Sequence, residues 1–429
     1  MAPIYLRQPY GERLKIGSRG FIAFSSEREM ASKVCILYTR FDLTEAFCSR
    51  HAHSADTARQ EAASAAAGTL FALRPPAPRS LSIGRKVPKM NAPFAHDDPK
   101  IDTTRRWPLT AMPAYPLPRR TAWRRSDVTE RDWLLPIPDA CLAEIDAIVG
   151  SLREDPIPTL VLSPTEFDMP ECRRLAGRLK DVLDLGIGFA VLDRLPVESF
   201  SKDELLAVYW LLSQLVARPV AQAFKGTLLY DVHDTGKKTD TRVRADLTNE
   251  DLSWHTDYGF NHPPPYIGLL VLRTALSGGV SSAGSLHTAH DVLRERDPGL
   301  LQRLYEPFVW NRQGEHADGM PICTSNPIFS VQGGVLRARF NRALQPVGYR
   351  LVGQEIDQDG MDALNGLHDI LSEPENHVDF VLAPGQIQFV NNARVAHRRT
   401  AFTDYQDPAL KRHLSRIFLR DEGRRSYMG

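Results

Sequence analysis

Along residues 139–153 apolar side chains recur every three to four positions, the period of a helix with one buried face. The same period predicts a second helix over 171–185, stopped at Gly186. Gly188-Phe-Ala-Val-Leu then reads as a buried strand closed by Pro196. Ser201, with Glu204 three residues on, has the form of a capping box and opens a third helix that runs to about Ala217. After Pro219 the pattern changes. Short apolar runs at 227–233, 266–273, 328–331, 335–340, 379–382 and 386–391 are separated by Gly, Pro, Asn and Asp. That spacing predicts an antiparallel β core, interrupted by one helix from about Gly360 to Ser372. The fold class expected is mainly β with flanking helices, a jelly-roll core with helical buttresses.

The first 135 residues do not share this patterning. Residues 1–89 hold 14 Lys/Arg against 7 Asp/Glu, an Ala-rich patch and a Pro-rich end, with weak periodicity. They read as a disordered leader, or as an over-extension of the reading frame upstream of Met90. Residues 90–135 read as an extended Pro/Arg-rich arm, and residues 136–429 as the ordered domain.

Composition removes several classes of function. A net charge of +1 gives no footprint for nucleic acid or an anionic membrane. No apolar run reaches the roughly 18–20 residues of a membrane span. The five cysteines are scattered and form no CxxC pair, as expected of free thiols in a reducing cytoplasm. Oligomeric state is left open, a homo-oligomer included.

Four His-x-Asp pairs occur: His96/Asp98, His255/Asp257, His316/Asp318 and His377/Asp379. On a strand such a pair shares one face and can give two ligands to one metal. Three of them lie in polar, loop-like surroundings. His255/Asp257 is flanked by Trp254, Tyr258 and Phe260, with the apolar run from Tyr266 close behind. An imidazole and a carboxylate inside an apolar shell call for a cation. His287, His290, His397 and His413 are the candidates for a third ligand, and His397 falls at the end of a late strand. Two histidines and one carboxylate make the facial set that leaves positions open on Fe(II).

Trp254-His-Thr-Asp257, Gly278-Gly-Val-Ser281, Asn391-Asn-Ala-Arg-Val-Ala-His397 and Lys411-Arg-His-Leu-Ser-Arg416 follow one another in order. Together they resemble the taurine dioxygenase/clavaminate synthase-like (TauD/TfdA) family of Fe(II)- and 2-oxoglutarate-dependent dioxygenases, over roughly residues 185–421. The resemblance implies a double-stranded β-helix. It also implies iron on His255, Asp257 and His397, with the distal carboxylate of 2-oxoglutarate on Arg412. Ser281 stands where the family usually has a threonine that shares this anchoring. Arg416 matches an arginine on the substrate side, suited to an acidic group, and Asp251 is placed to meet an amine. The partners implied are O2, 2-oxoglutarate and a small polar metabolite, a carboxylate-bearing one first among them. Because Asp257 keeps the carboxylate, hydroxylation or another hydrogen-abstraction outcome is expected rather than halogenation. Asn391, Asn392, Arg339 and Asn341 are expected to shape hydrogen bonds nearby or simply to end strands. Two other readings of the residues are a non-catalytic jelly-roll sensor of iron or a small acid, and a zinc hydrolase.

Overall fold

The computed structural model describes residues 100–102, 112–113, 115–236 and 245–423. The leader 1–89 and the pair His96/Asp98 lie outside them. Eleven strands build the part of the fold that positions the site: β1 Leu134–Pro136, β2 Phe189–Asp193, β3 Arg218–Val220, β4 Leu229–Val232, β5 Leu252–His255, β6 Tyr266–Arg273, β7 Ser281–Ser285, β8 His377–Phe380, β9 Ile387–Asn391, β10 Val395–Arg399 and β11 His413–Arg420. The major sheet runs β1-β2-β9-β6-β11-β3, with β4 also paired to β11. The minor sheet runs β8-β7-β10-β5. All these pairings are antiparallel except that of β1 with β2.

Side-chain parity explains the layering. Phe189, Val191, Val271, Val390 and Leu414 of the major sheet pack with Ala283, Val378, Phe380 and Val395 of the minor sheet. The alternate positions Ala190, Leu192, Leu270, Phe389 and Ile417 face the other way. There they pack on three helices: α1 Asp139–Glu154, α2 Pro170–Asp184 and α3 Lys202–Val216. β6 is apolar along nearly its whole length because it is covered on both faces. Gly268 lies at its tightest point, where a Cβ would come within 2.8 Å of both Tyr209 Oη and Ile417 Cγ2. The α3 cap forms as its sequence dictates, with Glu204 N donating to Ser201 Oγ and Ser201 N to the Glu204 carboxylate.

The jelly-roll expectation holds, with two differences. More than one helix enters the β half: Leu286–Arg296, Pro298–Leu304 and Leu344–Leu351 accompany Gln358–Ser372. They are short, and in the first the buried stretch Leu286 to His290 carries the polar residues His287, Thr288 and His290, which blurs the apolar spacing. The described end of the arm is also part of the folded unit. Trp123 is fully buried, its indole N–H donating 2.7 Å to Ile187 O. Trp133 stacks 6.0 Å from Phe189 and lies tilted 5.1 Å from Phe380, joining the arm to both sheets. No helix among the described residues is long and apolar enough to cross a membrane.

Candidate metal centre

β5 and β10 are neighbours in the minor sheet, and their register sets His255 directly opposite His397. The rings lie 4.3 Å apart between centroids. Asp257 follows just beyond the end of β5, with its Oδ2 3.6 Å from His397 Nε2. One donor atom from each residue falls within 4.8 Å of the others, and no other such group occurs among the described residues.

Neighbouring backbone and amide groups hold this geometry. His255 Nδ1–H donates to Ser253 O at 2.8 Å, which fixes the tautomer and leaves Nε2 with its lone pair. Asn392, wholly buried, accepts from Asp257 N at 2.8 Å and donates to Asp257 O at 2.9 Å and Pro264 O at 3.1 Å. Thr256 N donates to Phe340 O at 2.6 Å, tying the same turn to a neighbouring segment. Asn392→Ala should leave those Asp257 groups without partners and cost about 1–3 kcal/mol of stability. It should also weaken iron binding by about 10- to 100-fold, read by chelator competition. An unchanged chelator midpoint would show that Asn392 does not position Asp257.

The protonation states suit a cation. Burial, with the His397 ring beside it, pushes His255 down to about 4, so it is neutral at physiological pH. Burial opposes ionisation of Asp257, but Arg416 and His397 outweigh that and hold its carboxyl well below the usual range. A neutral imidazole at His255 and an ionised carboxylate at Asp257, with the His397 ring beside them on one side of a cavity, fit ferrous iron with positions to spare.

Two chambers open on this cluster. The smaller, about 60 Å³, is lined by Arg412, Ser281, Leu269, Gln388 and Leu414. Arg412 is 8% exposed, with its guanidinium 5.1 Å over the Phe402 ring and no carboxylate among the described residues in an ion pair with it. Burial and the charge of Arg399 lower its pKa to about 10, which still leaves it charged at neutral pH. Gly278 and Gly279, both with positive φ, let the turn before Ser281 pass close by: a Cβ on Gly279 would sit 3.7 Å from Arg412 Nε. The larger chamber, about 520 Å³, is bounded by Asp246, Asp251, Tyr258, Asn341 and Phe418 among others.

The other residues singled out in the sequence fall as follows. Arg416 lines both chambers, yet its guanidinium is bound to protein: Nη1 lies 3.1 Å from Asp257 Oδ1 and 3.0 Å from Asp246 Oδ2, and Nε donates to Gln222 Oε1 at 3.0 Å. The expected clamp on an acidic substrate group would have to form beside these contacts, in which two carboxylates already face the guanidinium. Asp251 is exposed at the rim of the larger chamber. His287 and His290 are held in the core by Leu336 O, Thr121 and Tyr305. His413 pairs with Asp231 on the opposite face of β11. His377 bonds Leu371 O and Asp379 meets Arg398, so that pair is structural. Asn391 and Arg339 bond backbone carbonyls, and Asn341 bridges to His255 through backbone. Sequence reasoning missed Asp246 and Gln222, which carry no motif.

A model of the taurine catabolism dioxygenase TauD, TfdA family matches residues 156–418. The chain belongs to the TauD/TfdA family. Like the rest of that family it is an Fe(II)- and 2-oxoglutarate-dependent dioxygenase, so the sensor and hydrolase readings fall away. Among curated relatives, the FR-33289 synthase of Streptomyces rubellomurinus is 28% identical over 318 residues, covering 73% of this chain and 92% of that protein. The human gamma-butyrobetaine dioxygenase is 27% identical over 168 residues, 36% of this chain and 41% of that protein. The crystal structure of an asparagine oxygenase with Fe(II), hydroxyasparagine and succinate shares the fold. Its TM-score is 0.52 at 18% identity, over 67% of this chain and 93% of that one.

Proposed function

We propose that this TauD/TfdA dioxygenase hydroxylates a small polar metabolite at iron held by His255, Asp257 and His397. In this reading the distal carboxylate of 2-oxoglutarate sits on Arg412 and Ser281, and the metabolite occupies the larger chamber. The carrying observation is the buried Arg412 charge, with no described carboxylate paired to it, in a small cavity that opens on the three donor atoms. FR-33289 and gamma-butyrobetaine, in the names of the relatives, are different small molecules, so names do not choose the substrate.

Bound iron supplies the chemistry that couples O2 to decarboxylation of the oxoacid, with one oxygen atom going to succinate and the other to substrate. The protein does the rest. The planar Arg412 fork pairs a carboxylate through two parallel N–H bonds, and the Ser281 hydroxyl donates a third. Arg416 keeps Asp257 ionised and donates to its Oδ1. Leu252, Leu269 and Leu414 give the cavity low polarity, which strengthens these charge contacts and keeps bulk water out. Asp257 fills a ligand position that a halide would need, and this supports oxygen transfer. The test is succinate formation by the iron-loaded protein with 2-oxoglutarate and O2. Folded, iron-loaded protein that gives no succinate across a broad metabolite panel would sink the reading.

A further inference from the structure

The two chambers meet at the metal centre, yet their walls carry opposite charge. Around the smaller stand Arg398, Arg399, Arg412 and Arg416 against Asp246 and Asp257. Around the larger stand Asp246, Glu250, Asp251 and Asp257 against Arg416 alone. That guanidinium is committed to Asp246, Asp257 and Gln222. A carboxylate entering the larger chamber would meet acidic groups and no cation at liberty among the described lining residues.

One acceptor in this wall also lacks a donor. The Asp246 side chain is 10% exposed, and its Oδ2 takes the Arg416 contact. Its Oδ1 is buried with no hydrogen-bond partner. A buried carboxylate oxygen without a donor is a standing cost that a ligand N–H would remove. Glu250 and Asp251, exposed at the mouth, add a negative field that draws cations inward.

We propose that the primary substrate carries an ammonium or guanidinium group and that the Asp246 carboxylate, in the wall of the larger chamber, receives it. Asp246 then selects for positive charge, while the basic chamber on the other side of the iron takes the oxoacid. This rests on the reading above that the larger chamber holds the substrate.

Calorimetry on the full-length protein, loaded with Fe(II) and 2-oxoglutarate under nitrogen, tests it. The probes are n-hexylamine, 1-hexanol and hexanoate, which share a six-carbon chain and carry ammonium, hydroxyl and carboxylate as their one polar group. Hexylamine should bind at least about tenfold more tightly than the other two. Asp246→Asn keeps the size and an acceptor oxygen but removes the charge. It should weaken hexylamine by about tenfold and hexanol by less than about twofold. Should that variant not fold, Asp251→Asn on the exposed rim should weaken hexylamine by about twofold to threefold, more at low salt than at high. Hexanol or hexanoate binding as tightly as hexylamine, or hexylamine giving no heat at about 10 mM, overturns the proposal. Succinate assayed with O2 across a broad metabolite panel separates the failures. Succinate without an ammonium preference removes only the charge selection, whereas no succinate across the panel removes the functional reading itself.

Discussion

His255→Ala protein, reconstituted with Fe(II) and desalted, should retain less than about a tenth of an equivalent of iron by elemental analysis. Outer hydrogen-bond partners of metal ligands already govern affinity by roughly 10- to 100-fold, and loss of a direct donor exceeds that. The geometry makes the loss specific. His255 presents a lone pair only because Nδ1–H is tied to Ser253 O, and no other described histidine or acid lies within reach of the cluster. The two donors left, Asp257 and His397, face one another at 3.6 Å and cannot form a facial set alone. Since the imidazole makes only that one hydrogen bond, the metal-free variant should melt within a few degrees of the parent. Full iron occupancy in the folded variant would take His255 out of the ligand set.

Arg412→Ala should raise the 2-oxoglutarate concentration needed for half-maximal succinate formation by more than about tenfold, with iron content unchanged. Truncating one partner of a buried, hydrogen-bonded charge pair costs about 2–5 kcal/mol, so tenfold is a lower bound. A second readout sets this apart from general damage. In the oxoacid-free protein Arg412 is a buried charge with no described carboxylate paired to it, and such a charge is a burden on the fold. Its removal should leave the melting temperature of the oxoacid-free protein unchanged or raised. Arg412→Lys keeps the charge but loses the planar fork, and should fall between parent and Ala. An unchanged oxoacid requirement in the Ala variant would move the anchor elsewhere.

Local pattern was enough for much of this. The run Tyr266 to Arg273 reads as a strand because nearly every side chain in it is apolar, and it spans those residues in the fold. Strand alternation predicts one face for Leu414 and Arg416, shared by Arg412 just before the strand, and all three line the smaller chamber. The third histidine is different in kind. Four candidates stood level by composition, and what decides is the pairing of β10 with β5, a contact between segments 142 positions apart (397 − 255). No window of sequence contains that register. The same limit applies to Arg416. Its place on the strand was legible, but the two carboxylates that neutralise it arrive from elsewhere in the chain. Asp246 had no signal at all, because an isolated aspartate in a polar stretch looks like any solvated acid.

The aromatic stack at the sheet edges has a bearing on where this protein can be divided. Residues 156–418 are recognisable as TauD/TfdA, but Trp123 and Trp133 precede that stretch and wedge against Phe189 and Phe380. Trimming a gene to the recognisable boundary would strip off α1 and these indoles, baring rings that neighbouring molecules could use to stick together. The catalytic module and the folding module therefore do not share a start point, and shuffling between relatives would have to carry the arm along with the site.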